Sequence, residues 1–373
     1  MTKKRLVLIG GGHAHMVTLA NIHTIVDKGY DVTVIQPSTH HYYSGMGPGM
    51  LGGTYHPDDI RFATRKVVEH QGGTFVMGKV VSIDPEKQVV RLDNSDQEIG
   101  YDVLSCNAGS SVPRDIIQTD SPLIFTAKPI ESLSQAQQKI LSLSQERALN
   151  IAIIGGGPSS IEIAGNVQQL GQRQTVHQPH ISIYTGKEIM PGKPEKIRQL
   201  ALASLTKRGV KVLEGNYVKN IDQGLILLED GTSHPADIIF PAVGVRPSPI
   251  FADSGLPTGP DGGLLVNRFL QSTAHPNIFG GGDCIYFEPE PLDKVGVYAV
   301  RENPVLYHNL LASLAGETLE VFQPGGSYLL IYNLGNDEGV FCKWSIIFGG
   351  KLAFKLKDYI DRKFIEKFQA IET

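Results

Sequence analysis

Two short, wholly apolar runs, Leu6–Ile9 and Ile151–Ile154, each stop at three consecutive glycines. Unbroken apolar runs bounded by glycine are what strands buried on both faces look like. After the first run, "HAHMVTLANIHTIVDKG" brings Met16, Leu19, Ala20 and His23 near one face of a predicted helix, with Gly29 as its stop. "YDVTVIQP" then returns as a strand. Strand, helix and strand make a βαβ unit, which implies a parallel sheet with a right-handed crossover. Over residues 73–104 the pattern changes to an alternation of period two, broken by Asp-Pro and Asn-Ser, which predicts an antiparallel meander.

The second glycine run repeats the sequence of events. "HISIYTG" reads as a strand, "PEKIRQLALASLTKRG" as a helix and "VKVLEGNYVKNIDQGLILLEDGTSHPADIIFPAVG" as another meander. Each half closes on an apolar strand ending at Ala108-Gly109 or Val243-Gly244. This is an internal duplication of architecture. Beyond it, "HPNIFGGGDCIYF" predicts one more strand and "KVGVYAVRENPVLYHNLLASLAG" a helix. Two strand-like pieces and a charged amphipathic helix follow. The fold class is α/β, with two Rossmann-like dinucleotide-binding domains and a small C-terminal α+β segment.

Composition narrows the classes. The 373 residues are 41% hydrophobic and 19% charged, enough apolar surface for two cores and unlike a disordered chain. A net charge of −4 gives no pull toward nucleic acid. Three cysteines, an odd number and far apart, fit a reducing compartment rather than a disulfide framework. "MTKK" leaves no room for a signal peptide, and no apolar run is long enough to span a membrane. The expected location is cytoplasmic, or the cytoplasmic face of a membrane. No metal site is expected.

The glycines carry the first chemistry. Gly10 and Gly12 hold the first two glycine positions of G-x-G-x-x-G, and Gly155 and Gly157 repeat them. The first allows the tight bend, and the second lets a pyrophosphate reach the backbone at a helix N-terminus, where N–H groups attract anions. His15 and Ser160 stand where a third glycine is usual. Two such turns, each in strand–turn–helix context, predict two dinucleotides, one a tightly held flavin and the other an exchanging nicotinamide.

These residues resemble the pyridine nucleotide-disulfide oxidoreductase superfamily across essentially the whole chain. The anchors are GGGHAH, GGGPSSIEIAG, the strand ends near Gly109 and Gly244, and "IFGGGDC". Within the superfamily, "YYSGMGPGML" (residues 42–51) and "LKDYIDRKFIEKF" are similar to the type II NADH dehydrogenase-like branch, in the group related to proteins fused to selenide, water dikinase. The resemblance implies a three-layer β/β/α arrangement with the nicotinamide domain inserted in the flavin domain. The implied boundaries are 1–125 and 259–325 for FAD, 126–258 for NAD(P)H and 326–373 for the C-terminal segment. It also implies that FAD is held by Gly10, Gly12, His13, Ala14, Gln36, Ser44, Gly45, Pro48, Val81, Ala108, Gly109, Gly282, Asp283, Lys294, Val295 and Gly296. NADH or NADPH would be held by Gly155, Gly157, Pro158, Ser159, Glu162 and Gly244. Asp283 would accept a ribityl hydroxyl; the rival reading is a solvated loop aspartate.

Two residues are candidates for catalysis. Glu162 matches the acid that meets the nicotinamide in the type II branch, and would orient the ring or pass a proton; a charge that steadies the helix N-terminus is its rival. Lys294, beside Val295 and Gly296 at a helix start, would set a positive charge near the flavin or stand as an exposed loop lysine. An acid about 20 residues past each glycine turn should bind a ribose. Gln36 replaces it in the first half. Thr185 and Lys187 replace it in the second, so NADH and NADPH stand as alternatives.

The implied activity is hydride transfer from NAD(P)H to FAD, with electrons passed to a quinone-type acceptor. Sulfide oxidation through Cys342 and a redox sensor without turnover are the alternatives. In the last helix Leu352, Leu356, Tyr359, Ile360 and Phe364 fall on one side and Lys351, Lys355 and Arg362 on another. Such a helix suits a membrane interface, its own protein or a homodimer partner.

Overall fold

The computed structural model describes residues 3–93 and 95–372. Its first sheet has five parallel strands in the order Ile278–Gly280, Val103–Cys106, Arg5–Ile9, Asp31–Gln36 and Thr74–Met77. The second has four parallel strands, ordered Lys211–Glu214, His180–Thr185, Asn150–Ile154 and Ile238–Pro241. In each, the apolar run that precedes the glycines is flanked on both sides and buried, as its lack of polar alternation requires. The first sheet completes itself with residues 278–280, so the whole second sheet is threaded between two visits of the chain to the first.

The duplication extends to detail. The meanders are three-stranded and antiparallel, Val80–Asp84 with Val89–Leu92 and Ser95–Gly100, and Val218–Asp222 with Leu225–Leu228 and Ser233–Pro235. Both carry a register shift in the first strand, between Val80 and Ser82 and between Val218 and Asn220. The halves differ after their glycines. The second runs straight into the helix Pro158–Gln174, whose proline sits where no N–H is needed. The first is broken into His13–His15, Met16–Ala20 and Ile22–Asp27. There the Asn21 amide bonds back to the Val17 carbonyl at 2.8 Å, and such local bonds compete with the helix ladder.

The C-terminal segment holds three strands where two were expected: Leu330–Asn333, Gly339–Lys343 and Ile346–Gly350, all antiparallel. The last turn places Trp344 at φ 53, a left-handed position that a bulky side chain does not announce. The closing helix is Lys351–Gln369. It buries Ala353, Phe354, Lys357, Asp361, Ile365 and Phe368 and leaves Leu352, Tyr359 and Ile360 exposed. The face toward the protein combines an ion pair with apolar residues, to which the expected stripe contributes Phe364. Among the described residues no helix is long and apolar enough to cross a membrane.

This segment sits on the helix Pro158–Gln174. A Cβ on Gly165 would lie well inside 3.0 Å of the Leu334 carbonyl, a backbone atom that cannot swing away. Gly165→Ala should therefore lower stability by about 1–3 kcal/mol, the usual cost of overpacking. Gly326→Ala, where a Cβ meets nothing within 4 Å, is the control. Urea midpoints measure both, and equal values would remove this contact from the account of the fold.

Candidate active site

The two glycine turns are built alike at their first glycine and differ at the second, where a Cβ on Gly12 would meet the Asn107 side chain and one on Gly157 would meet nothing within 4 Å. Gly10 has φ +84 and Gly155 φ +123, and a Cβ on either would collide with the facing carbonyl, of Asn107 or of Ala242. Only glycine permits this approach. On the ligand side the opposite holds. Gly109, Gly157, Gly244 and Gly296 have nothing within 4 Å of where a Cβ would be, so each leaves a cradle open that a side chain would fill. Ser160 Oγ, beneath the second turn, is buried without a partner. Pro158 and Ser159 are exposed at the mouth of that turn.

The Gln36 side chain is bonded at both ends of its amide. Its Oε1 accepts the Gly11 N–H at 3.0 Å, and its Nε2 donates to the Ser38 and His40 carbonyls at 2.8 and 2.7 Å. The amide closes the glycine turn from behind. His15 does likewise. Its ring nitrogens lie 2.6 Å from the Gly10 carbonyl and 2.8 Å from Ser105 Oγ, so a bonded imidazole occupies the place of the missing third glycine.

Asp283 accepts the Ser110 hydroxyl at 2.8 Å and pairs with the Lys128 ammonium, which also donates to Ser110. Burial would raise its pKa, but Lys128 outweighs burial and holds the carboxyl below its ordinary value. The sequence reading passed over Lys128. Lys294 is 2.8 Å from Asp261 and donates to the Ile285 carbonyl, so its charge is locally matched. Val295 caps the helix Gly296–Ala315, and two turns along it Glu302 accepts the Gly282 N–H. Ala14 is buried, whereas Ala108 and Val81 are exposed, Val81 on the first meander.

The chemistry concentrates where the helix Pro158–Gln174, the Tyr43–Pro48 loop and the closing helix meet. Ser44 opens a 3-10 turn, and Pro48 lies in the first turn of the helix Gly47–Leu51. Lys357 Nζ donates to the Gly45 carbonyl at 2.9 Å and to Asp361 at 2.7 Å, and Tyr43 donates to Asp361 at 3.0 Å. Glu162 Oε1 accepts the Asn333 N–H at 2.8 Å. Burial pushes the Glu162 carboxyl up to about 7, against the pull of Lys357 and of that N–H. Burial works against the Lys357 ammonium too, but Asp361 and Glu162 outweigh it and its pKa rises. A carboxyl that titrates near neutrality beside a fixed ammonium can hold or release a proton at physiological pH. The sequence assigned no site role to Lys357, Asp361 or Tyr43, although the i, i+4 spacing of Lys357 and Asp361 was visible there.

The three cysteines are free. Cys284 Sγ lies 3.3 Å from the Cys106 carbonyl, and burial holds both thiols protonated. Cys342 stands apart from them in sequence, on the strand Gly339–Lys343. Among the described residues no cluster of three metal-ligating side chains occurs.

The family described as pyridine nucleotide-disulphide oxidoreductase matches residues 4–309. Ferroptosis suppressor protein 1 of Xenopus laevis is 24% identical over 361 residues, covering 90% of this chain and 87% of that protein. Demethylphylloquinone reductase NdbB of Synechocystis is 26% identical over 372 residues, covering 94% and 89%. Among solved structures, NDH2 from Plasmodium falciparum in complex with NADH superposes with a TM-score of 0.81 at 14% identity, covering 99% of both chains.

Glu302 gives a pH test of this core. Burial raises its carboxyl to about 7 from the ordinary 4.5. Between those values the unfolded chain has already lost a proton that the folded one keeps, so this group's contribution to stability falls as pH rises. Glu302→Gln, which cannot ionise, should gain on the wild type by up to about 3 kcal/mol between pH 5 and pH 8. Urea unfolding of nucleotide-free protein measures this, and a constant difference would remove the buried-acid assignment.

Proposed function

The chain belongs to the pyridine nucleotide-disulphide oxidoreductase family, and from that premise we propose that it oxidises NAD(P)H through FAD and passes the electrons to a quinone-type acceptor. One observation carries the reading: Lys357 and Asp361 of the closing helix bind the Tyr43–Gly45 loop of the first half and act on Glu162 in the helix that follows the second glycine turn. The printed names of relatives, among them a demethylphylloquinone reductase, support the acceptor class.

Gly109 and Gly296 would give the flavin dinucleotide room against the backbone, Gly10 and Gly12 would let the turn close on Asn107, and Asp283 would be held ionised by Lys128 toward its sugar chain. Gly155, Gly157 and Gly244 would do the same for the nicotinamide dinucleotide. Bound FAD supplies the capacity to take a hydride and give up electrons singly or in pairs. The protein's share is position and protons. Glu162, in the second turn of the helix that would receive the nicotinamide dinucleotide, would hold a proton near neutral pH, and Lys357 would keep the Gly45 carbonyl and that proton in fixed register. Reduction of a quinone consumes two protons, and a buried carboxyl that titrates near 7 is suited to deliver one.

The closing helix supports a peripheral membrane contact. Leu352, Tyr359 and Ile360 are 68%, 62% and 38% exposed, and Lys351 and Lys355 lie beside them. Apolar side chains flanked by lysines suit an interface at which a lipid-soluble quinone is found.

A visible spectrum of the purified protein is the first test. Bands at about 370 and 450 nm, as for any bound flavin, are expected. Anaerobic NADH or NADPH should bleach them and a quinone should restore them. A colourless protein that takes up no FAD would sink the reading. Gly157→Leu should keep its flavin and lose nucleotide oxidation by at least about a hundredfold, since the side chain fills the pyrophosphate position. Glu162→Gln should keep hydride transfer to the flavin and lose the inflection near pH 7 in quinone reduction, above which the wild-type rate falls.

A further inference from the structure

The first glycine turn carries two buried histidines that the structure treats differently. His15 is bonded at both ring nitrogens and is spent on the fold. His13 has one nitrogen engaged: its Nδ1 lies 3.4 Å from His41 Nε2, while its own Nε2 is buried without a partner. The ring is held in place. His41 meets it edge-on with centroids 5.1 Å apart, Tyr43 flanks it at 5.3 Å, and Phe364 of the closing helix lies nearly parallel at 5.8 Å. His41 packs in turn against Phe62. A buried polar atom without a partner is unfavourable unless a ligand completes it.

The pair stands where a flavin dinucleotide would run. His13 directly follows Gly12, a Cβ on Gly12 would come 3.4 Å from the His41 ring, and Tyr43 leads into Ser44 and Gly45. The charged groups that His13 feels are Asp283 and Lys128; His41 feels His13 and Lys128. Burial holds the imidazoles at about 4 and about 3, so both are neutral at pH 7. Two neutral imidazoles in contact share one N–H. A flavin dinucleotide presents phosphate oxygens, ring carbonyls and ring nitrogens, which are mostly acceptors. The free Nε2 of His13 must then carry the proton, so its Nδ1 accepts from His41 Nε2–H.

We propose that His41 donates to His13 and that His13 donates from Nε2 to the bound flavin dinucleotide, a neutral two-imidazole chain that positions the cofactor and favours its electron-rich reduced form. The proposal rests on the flavin reading above. It makes His41, which no motif flagged, a positioning residue acting through His13.

The full-length protein is compared as wild type, His13→Phe, His13→Gln and His41→Phe. Phenylalanine keeps the stack on Phe364 and removes the donor, whereas glutamine restores an N–H. The apoprotein of each is titrated with FAD, and the midpoint potential of the reconstituted protein is read against redox dyes. His13→Phe should bind FAD about tenfold more weakly, the effect of one hydrogen bond, and its potential should fall. His13→Gln should recover most of both, and His41→Phe should lie between. Equal affinity and potential in wild type and His13→Phe would overturn the proposal, as would a glutamine variant no better than the phenylalanine one. A wild type that takes up no FAD overturns this and the functional reading together; one that does, beside an unaltered His13→Phe, overturns this alone. If His13→Phe fails to fold, His41→Phe and His13→Gln decide on the same measurements.

Discussion

The Lys357 ammonium is the contact on which the assembled molecule turns. A lysine almost out of solvent would be costly unless every charge and donor found a partner. It is matched here by Asp361 four residues on, by the Gly45 carbonyl and, through space, by Glu162. Those three partners belong to the closing helix, the loop of the first half and the helix of the second half. One buried cation thus ties the closing helix to both halves. Replacing it with an apolar side chain would leave Asp361 and Glu162 as carboxyls with no counter-charge. Burial would then drive both toward the neutral form, and the group's charge pattern would be lost before its packing was.

The two halves show how one backbone solution tolerates different side-chain supports. Both bring a left-handed glycine against a carbonyl of the neighbouring strand, and both need it, because any Cβ there collides. At the third motif position the halves diverge. His15 bonds the Gly10 carbonyl and Ser105, and the helix behind it breaks into short pieces. Ser160 is small and leaves its hydroxyl unpaired, and its helix runs unbroken through Gln174. The phosphate-facing glycines are the shared requirement; how the turn is braced is local.

The parallel sheets, the meanders and their order were readable because they rest on short-range signals: apolar runs, period-two alternation and glycines at fixed offsets. Asp283 and Glu162 were reachable through motif position, and both fall within hydrogen-bonded surroundings that account for their charge state. What escaped were partners supplied from far along the chain. Lys128 is 155 residues from Asp283, and Tyr43 is 318 residues from Asp361. Period and spacing carry no information about such pairs. The closing helix stayed open for a related reason. Its apolar stripe left a membrane, the protein itself and a partner copy equally open, and the inward turn of Lys357 and Asp361 depends on the Gly45 carbonyl and Glu162 carboxyl supplied from far along the chain.

Charge placement separates what binds from what moves protons. Asp283 is kept ionised by Lys128, so it accepts hydrogen bonds at any ordinary pH. Glu162 and Glu302 are pushed to about 7 by burial, so each changes charge within the physiological range. They have different neighbours. Glu302 accepts the Gly282 N–H and feels Asp283 and Lys294. Glu162 sits against Lys357 and Asp361, whose Tyr43 hydroxyl continues the chain of donors and acceptors. The two acids share a raised pKa but not their surroundings: Glu162 feels Lys357 and Asp361 at the junction of the closing helix with both halves, whereas Glu302 feels Asp283 and Lys294 beside the Gly282 turn.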